Sequence, residues 1–168
     1  FEELAAHGHQ PSGPLRGHKA DIFEGGHRVP FVVRWPGQVA AGVESRQIVC
    51  LTDILATLAE ILERPLPDGA GEDSISFLPA LRGAEGARDH LVSHSINGTF
   101  AIRRGTWKLA LGPDSGGWSA PRPGSKQVAD LPRQQLYNLA DDLGEQHNLQ
   151  DREPERVREL TVKFPLPY

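Results

Sequence analysis

The 168-residue sequence contains no methionine and only one cysteine, and it opens on Phe1. A chain lacking even an initiating Met reads as a fragment of a longer protein. The lack of a basic start followed by an apolar stretch, the mark of a signal peptide, therefore leaves the compartment of the parent open. A lone cysteine can form neither an internal disulfide nor a thiolate metal cluster. Cys50 sits in the apolar run Gln47-Ile48-Val49-Cys50-Leu51, which predicts a small buried filler and not a reactive thiol. Long hydrophobic runs are missing too, and none approaches the ~20 residues that cross a bilayer. Positive charge is sparse: 18 Lys and Arg against 22 Asp and Glu give a formal net charge of −4. No basic stripe exists to follow nucleic acid phosphates, so nucleic acid is not an expected partner.

What is plentiful is glycine and proline, 18 and 14 residues respectively, and these punctuate the chain into short elements. Residues 1–28 are rich in Gly, His and charge with little periodicity, which predicts a long surface loop of the kind that often carries function. Phe31-Val32-Val33-Arg34-Trp35 predicts a β-strand between Pro30 and Pro36-Gly37, covered on both faces because it is almost continuously apolar. Ile54, Leu55, Leu58, Ile61 and Leu62 follow helical spacing, so a helix is expected from a Thr52 or Asp53 cap to Pro65. Residues 65–73 read as a connector, and Ser76 to Leu81 as a short helical segment.

From His90 onward the pattern changes to strands at 91–94, 100–103 and 107–111. The last two flank Arg104-Gly105 as a hairpin with one buried face. The Gly, Pro and Ser content of 112–133 predicts an exposed loop. A further strand is expected at 135–139. A final helix should run from Pro154 to about Phe164, with Asp151 as a possible cap and Val157, Leu160, Thr161 and Phe164 on one face.

The most informative stretch is Gly13-Pro14-Leu15-Arg16-Gly17-His18-Lys19, Ala20-Asp21-Ile22-Phe23, then Glu24-Gly25-Gly26-His27-Arg28-Val29-Pro30, followed downstream by Trp35-Pro36-Gly37. It closely resembles the segment of sulfatases in which a Gly-rich turn presents a lysine and a Glu-Gly-Gly-x-Arg-x-Pro run leads on to Trp-Pro-Gly. Weaker likeness continues along most of the chain. Thr52-Asp53-Ile54 with Ala56-Thr57-Leu58 resembles the family's Asp-x-x-Pro-Thr-Leu helix, with Ala56 in place of proline. Arg103-Arg104-Gly105-Thr106-Trp107-Lys108 is similar to its Arg-x-Gly-x-Trp-Lys hairpin. Leu136-Tyr137-Asn138-Leu139 through Glu145 and Asn148-Leu149 resembles the segment before its last helix.

The resemblance implies an α/β, alkaline-phosphatase-like fold. Residues 1–65 would be the end of the large mixed-sheet catalytic domain and 66–89 a connector. Residues 90–168 would be a C-terminal α+β subdomain with an antiparallel sheet and a closing helix. The family's chemistry uses a formylglycine derived from cysteine, a calcium ion held by Asp and Asn, and nearby Lys and His. Lys19 matches the lysine that contacts the sulfate, and a compact ammonium suits an oxyanion whose charge shifts during reaction. His94 in Ser93-His94-Ser95, and His9 ahead of Pro11-Ser12-Gly13, are candidate substrate contacts. Glu24 and Arg28 read as braces of the loop, with Gly25 and Gly26 allowing unusual backbone angles. Asp141 and Asp142 read as solvated residues of a turn.

Cys50, followed by Leu51-Thr52-Asp53-Ile54, fails the family's Cys-x-Pro/Ala-x-Arg nucleophile pattern, and the calcium-binding Asp-Asn pair would fall before Phe1. The expected function is therefore the C-terminal portion of a sulfatase, inactive alone and completed by the N-terminal part of the same protein. Its substrate would be a sulfated small molecule or carbohydrate. Two alternatives stay open: a phosphonate monoester or phosphodiester hydrolase of the same superfamily, and a non-catalytic module that binds sulfated ligands.

Overall fold

The computed structural model describes residues 2–162 and divides into two compact units. One joins the residues up to Val29 with those from Val92 onward, and the other is Pro30–Leu91. These units do not follow chain order, because the N-terminal loop packs with the C-terminal sheet.

That sheet has four strands in the order β1-β2-β3-β4: His90–His94, Phe100–Arg104, Trp107–Ala110 and Gln135–Asn138. The pairing of Arg104 with Trp107 leaves Gly105-Thr106 as the two-residue turn, and Gly105 takes the left-handed conformation, φ 56°, that its missing Cβ permits. Register then sorts the side chains. Ile102, Leu109 and Leu136 are cross-strand partners and line one face. The closing helix α5, Pro154–Val162, sets Leu160 on them, with Val157, Trp107 and Leu149 around the rim. Each such side chain contributes roughly 1.5–3 kcal/mol by leaving water. The four-stranded sheet closed by a helix is the predicted one.

The hairpin was expected to bury one face, and it buries both. On the second face Ala101 and Ala110 are partners, small enough for Ile22 and Phe23 of the N-terminal loop to pack directly on them. The next row on that face is Arg103, Lys108 and Tyr137. A loop, and not a helix, is the second layer of this unit.

Other expectations need correction. Within 112–133 the start is buried: Asp114 and Ser115 are in the interior, because Ser115 accepts a bond from the Ile22 N–H at 2.8 Å. The N-terminal loop contains two short helices, α1 at Glu2–Ala6 and α2 at Glu24–His27. On α5 the exposed Thr161 does not join the packed face, and Phe164 lies outside the described residues.

In the other unit, helix α3 spans Asp53–Ile61 and helix α4 spans Leu78–Leu81. Asp53 and Thr57 are its buried residues, whereas Ile54, Leu55, Leu58 and Leu62 are exposed. The polar face turns inward because its groups find partners there. The Asp53 carboxylate accepts the Cys50 N–H at 2.8 Å, the Ile75 N–H at 3.0 Å and Arg88 Nε at 2.9 Å. Thr57 Oγ1 donates to Asp53 O at 2.7 Å and accepts the Phe77 N–H at 3.0 Å. Thr52 makes no side-chain cap. The helix stops short of Pro65, since Glu63 turns left-handed at φ 52°. Phe31–Trp35 is not a strand: no described segment pairs with it, and a strand exists only through its ladder. Val32 is 89% exposed. Cys50 is half-buried, not a core filler.

Candidate functional site

The Lys19 loop is fastened to the second face of the sheet at two buried carboxylates, Asp21 and Glu24. Asp21 accepts the backbone N–H groups of His18 at 2.8 Å, Trp118 at 2.7 Å and Ser119 at 3.0 Å, and the Ser119 hydroxyl also bonds it. Burial pushes its pKa up, but these donors outweigh burial and hold it below the usual carboxylate value. The residues from His18 to Asp21 form a turn closed by Asp21 N–H to His18 O at 3.0 Å. Its third residue, Ala20, has φ 88°, a conformation that suits glycine and costs an alanine roughly 1–2 kcal/mol. Strain of this kind persists where surroundings over-determine it, and it clusters at functional sites.

Glu24 anchors the other end. Its carboxylate meets Arg28 at 2.8 Å, Lys108 at 3.2 Å and Arg103 at 3.3 Å. Burial would raise its pKa, but the three cations hold it low. Lys108 is shared with Glu145, 2.8 Å away, whose other oxygen accepts the Glu24 N–H at 2.6 Å. Burial keeps Glu145 above its usual value despite Lys108. Three stretches far apart in the sequence, Glu-Gly-Gly-x-Arg, Trp-Lys and Glu-x-x-Asn, thus meet in one ion network. Arg16 adds a clasp, donating to Glu145 O at 2.7 Å and to Tyr137 Oη at 3.2 Å while lying 3.8 Å from the centre of the Phe23 ring.

The bracing role of Glu24 and Arg28 is visible, but the role of the two glycines differs from expectation. Neither Gly25 nor Gly26 has positive φ. They are small because a Cβ would collide with the carbonyl oxygens of Gly17 and Asp21 respectively. Beside them, the His27 ring sits with Nε2 buried and lacking a partner among the described residues. Burial first, and the charge of Lys108 second, lower its pKa and favour the neutral ring.

All this structure presents one exposed ammonium. Lys19 is exposed, and no ion pair holds its side chain among the described residues. Ala20 O accepts the Ile96 N–H at 3.0 Å, which brings the turn that follows His94 against the Lys19 turn. His94 is exposed, with Nδ1 2.9 Å from Ser95 O and its ring 5.8 Å from that of Phe100. His9 is also exposed, and no side-chain contact joins it to the Lys19 loop among the described residues. Asp141 and Asp142 lie in the turn after β4, where Asp142 accepts the Gln146 and His147 N–H groups at 3.0 and 2.8 Å.

Sequence reasoning did not single out Asp21, Lys108, Glu145 or Trp118. Lys108 and Glu145 stood inside motifs already quoted, and that was their only signal. Trp118 sits at 46% exposure with its ring centre 6.5 Å from that of His18, next to Lys19. Among the described residues no group of three or more His, Cys, Asp or Glu could hold a metal ion, and the buried carboxylates are already occupied by N–H groups and cations.

No family model matches the chain. It is 36% identical to an N-acetylgalactosamine-6-O-sulfatase of Bacteroides thetaiotaomicron over 96% of its own length and 31% of the relative's. It is 33% identical to human arylsulfatase A over 82% of its length and 29% of that protein. A solved structure from work on glycosaminoglycan metabolism by Bacteroides thetaiotaomicron superposes with a TM-score of 0.78 at 34% identity, covering 94% of this chain and 32% of that one. A protein crystallised with a neocarrahexaose has a TM-score of 0.68 over 90% of this chain and 31% of its own, a likeness of fold at 22% identity. The chain spans about a third of the length of the curated relatives it matches.

Proposed function

Because the chain belongs to the sulfatase family, we propose that it is the C-terminal portion of a sulfatase and that the longer protein hydrolyses sulfate esters. The observation that carries this reading is Lys19: an exposed ammonium, without an ion pair among the described residues, on a strained turn whose flanks are clamped by buried Asp21 and Glu24. A surface lysine without a task needs no such support. In this role Lys19 binds the sulfate oxygens and stabilises the charge that grows toward the bridging oxygen as the S–O bond breaks. His94, brought to the same turn through the Ile96 to Ala20 bond, and His9 are proposed to contact the substrate. The chemistry of the relatives favours a sulfated carbohydrate, since one of them is an N-acetylgalactosamine-6-O-sulfatase.

Among the described residues no cluster of carboxylates fits a calcium site. Calcium, which would neutralise sulfate oxygens, and formylglycine, which would attack, are therefore proposed to reside in the N-terminal part of the same protein. Residues 1–65 are proposed to belong to the end of the catalytic domain of the longer protein, the first 29 of them packed with the C-terminal sheet, with 66–89 as connector and 90–168 as the C-terminal subdomain. Exposed Phe31 and Val32 and the exposed apolar residues of α3 are the surface such a junction would cover.

Lys19→Ala in the longer protein should lower turnover of an aryl or carbohydrate sulfate by a factor on the order of a hundred to a thousand, with an unchanged melting temperature. Lys19→Arg should restore little, because a planar guanidinium cannot take the place of a point charge at this turn. Near-normal hydrolysis by the alanine variant would sink the assignment. Turnover of phosphate or phosphonate esters in preference to sulfate would shift the reading to the phosphodiesterase branch of the superfamily.

A further inference from the structure

A cleft of about 400 Å³ opens beside the Lys19 turn, lined by Asn97, Gly117, Trp118, Arg122 and Pro123. It has no task in the sulfate chemistry just described. Its main wall is an indole left 46% exposed, a large apolar surface that a chain ordinarily buries. Neither the Trp118 indole N–H nor the Asn97 side-chain amide bonds any described residue, so a flat apolar face and polar groups open to a ligand border one space. That pairing matches a pyranose ring, whose C–H face packs on an aromatic plane while its hydroxyls take hydrogen bonds from the rim.

The cleft is also held at a set place relative to Lys19. The Trp118 N–H is bound to Asp21 at 2.7 Å, and Asp21 holds the Lys19 turn through His18 N–H at 2.8 Å. On the other wall, Asn97 N–H bonds Gly116 O at 3.1 Å, one residue after Ile96 bonds Ala20 O at 3.0 Å. Gly117 is obligatory in the floor, since a Cβ there would lie 2.5 Å from Ala20 O and from Asp21 Oδ1. Arg122 Nε is fixed on Trp118 O at 2.7 Å, which steadies the loop behind the indole. The same bonds that position Lys19 therefore position Trp118.

We propose that this cleft is a second sugar subsite, in which Trp118 stacks on the pyranose ring next to the sulfated residue of an oligosaccharide sulfate. The inference rests on the sulfatase reading above and adds that the substrate is longer than one sugar. A monosaccharide sulfate engages the Lys19 site without the cleft. An oligosaccharide gains the stacking contact as well, and the gain falls on binding and not on bond cleavage.

The test uses the longer protein with two probes: N-acetylgalactosamine 6-sulfate, and disaccharides that add one unsulfated hexose to it at either linkage position. Wild-type protein should show a lower KM for at least one disaccharide than for the monosaccharide. Trp118→Ala should raise that disaccharide's KM about tenfold more than the monosaccharide's, with kcat little changed, and Trp118→Phe should recover most of the loss. Equal effects on both probes, or no effect, would overturn the subsite. So would a lowered melting temperature with an unchanged KM ratio, which would mark Trp118 as packing against the rest of the protein. If neither these esters nor an aryl sulfate is hydrolysed, the sulfatase reading falls by itself. Calorimetric titration with the disaccharides then decides the subsite: binding weakened by Trp118→Ala supports it, and no binding to the wild type overturns it.

Discussion

Lys108 is 2% exposed and stands between two carboxylates, Glu24 and Glu145, at 3.2 and 2.8 Å. An ammonium so deep is tolerated only because both partners are buried with it, and its removal would take the ammonium from buried Glu145 while Glu24 keeps Arg28 and Arg103. Lys108→Met should therefore cost about 3–5 kcal/mol in chemical denaturation, far more than the loss of an exposed pair. A cost below about 1 kcal/mol would mean that the network contributes little to stability. Ala20 offers a test of opposite sign. Its φ of 88° is strained for alanine and free for glycine, so Ala20→Gly should raise stability by roughly 1 kcal/mol, less the entropy that glycine adds to the unfolded chain. Lower stability for the glycine variant would show that the methyl makes packing contacts that matter more than the backbone.

Among the elements, α5 and α3 show how far an amphipathic pattern can be trusted. On α5 the pattern and the packing agree: Leu160 is fully buried on Ile102, Leu109 and Leu136. Leu160→Ala should cost about 2–5 kcal/mol, read as a lower denaturation midpoint, because the sheet cannot collapse into the space left. On α3 the period identifies the helix but not the buried side, since Asp53 and Thr57 turn inward while Leu55 and Leu58 face out. If the apolar side is the junction with the rest of a sulfatase, Leu58→Lys should destabilise the longer protein by more than 1 kcal/mol. A change within about 0.5 kcal/mol, the range of an ordinary surface site, would argue that this face stays in water.

For the whole molecule, the carboxylates set the response to acid. Asp21, Asp53 and Glu24 all have folded pKa values held below their ordinary 3.8, 3.8 and 4.5. Burial works against this in each case, and bonds from Ser119 and neighbouring N–H groups, from Arg88, and from Lys108 with Arg103 and Arg28 overcome it. A depressed folded pKa stabilises the fold above the ordinary value, and that stability is lost as pH falls through the folded value. Glu145, raised above 4.5 by burial, acts in the opposite sense: its contribution is full in acid and declines as pH rises through its folded value. Three groups against one predict that the urea midpoint falls steadily from about pH 4.5 downward. Glu24→Gln should flatten part of that fall. A midpoint that is level or rising between pH 4.5 and 2.5 would contradict the assigned directions.

The sequence by itself determined the strands of the C-terminal sheet, helices α3 and α5, and the family. Alternation and turn chemistry mark β2, β3 and β4, helical spacing marks α3 and α5, and the Gly-rich run around Lys19 is specific enough to identify a sulfatase. These are properties of neighbours along the chain, which sequence order preserves. Only the tertiary structure decided that the N-terminal loop covers the second face of the sheet and that Glu24, Lys108 and Glu145 meet. It also decided that Asp53 and Thr57, not the leucines, are the inward face of α3. Each of these depends on which partner a group finds across twenty or more residues of chain. Phe31–Trp35 is the limiting case, because its composition favours a strand while strand formation requires a neighbour that its own residues cannot specify.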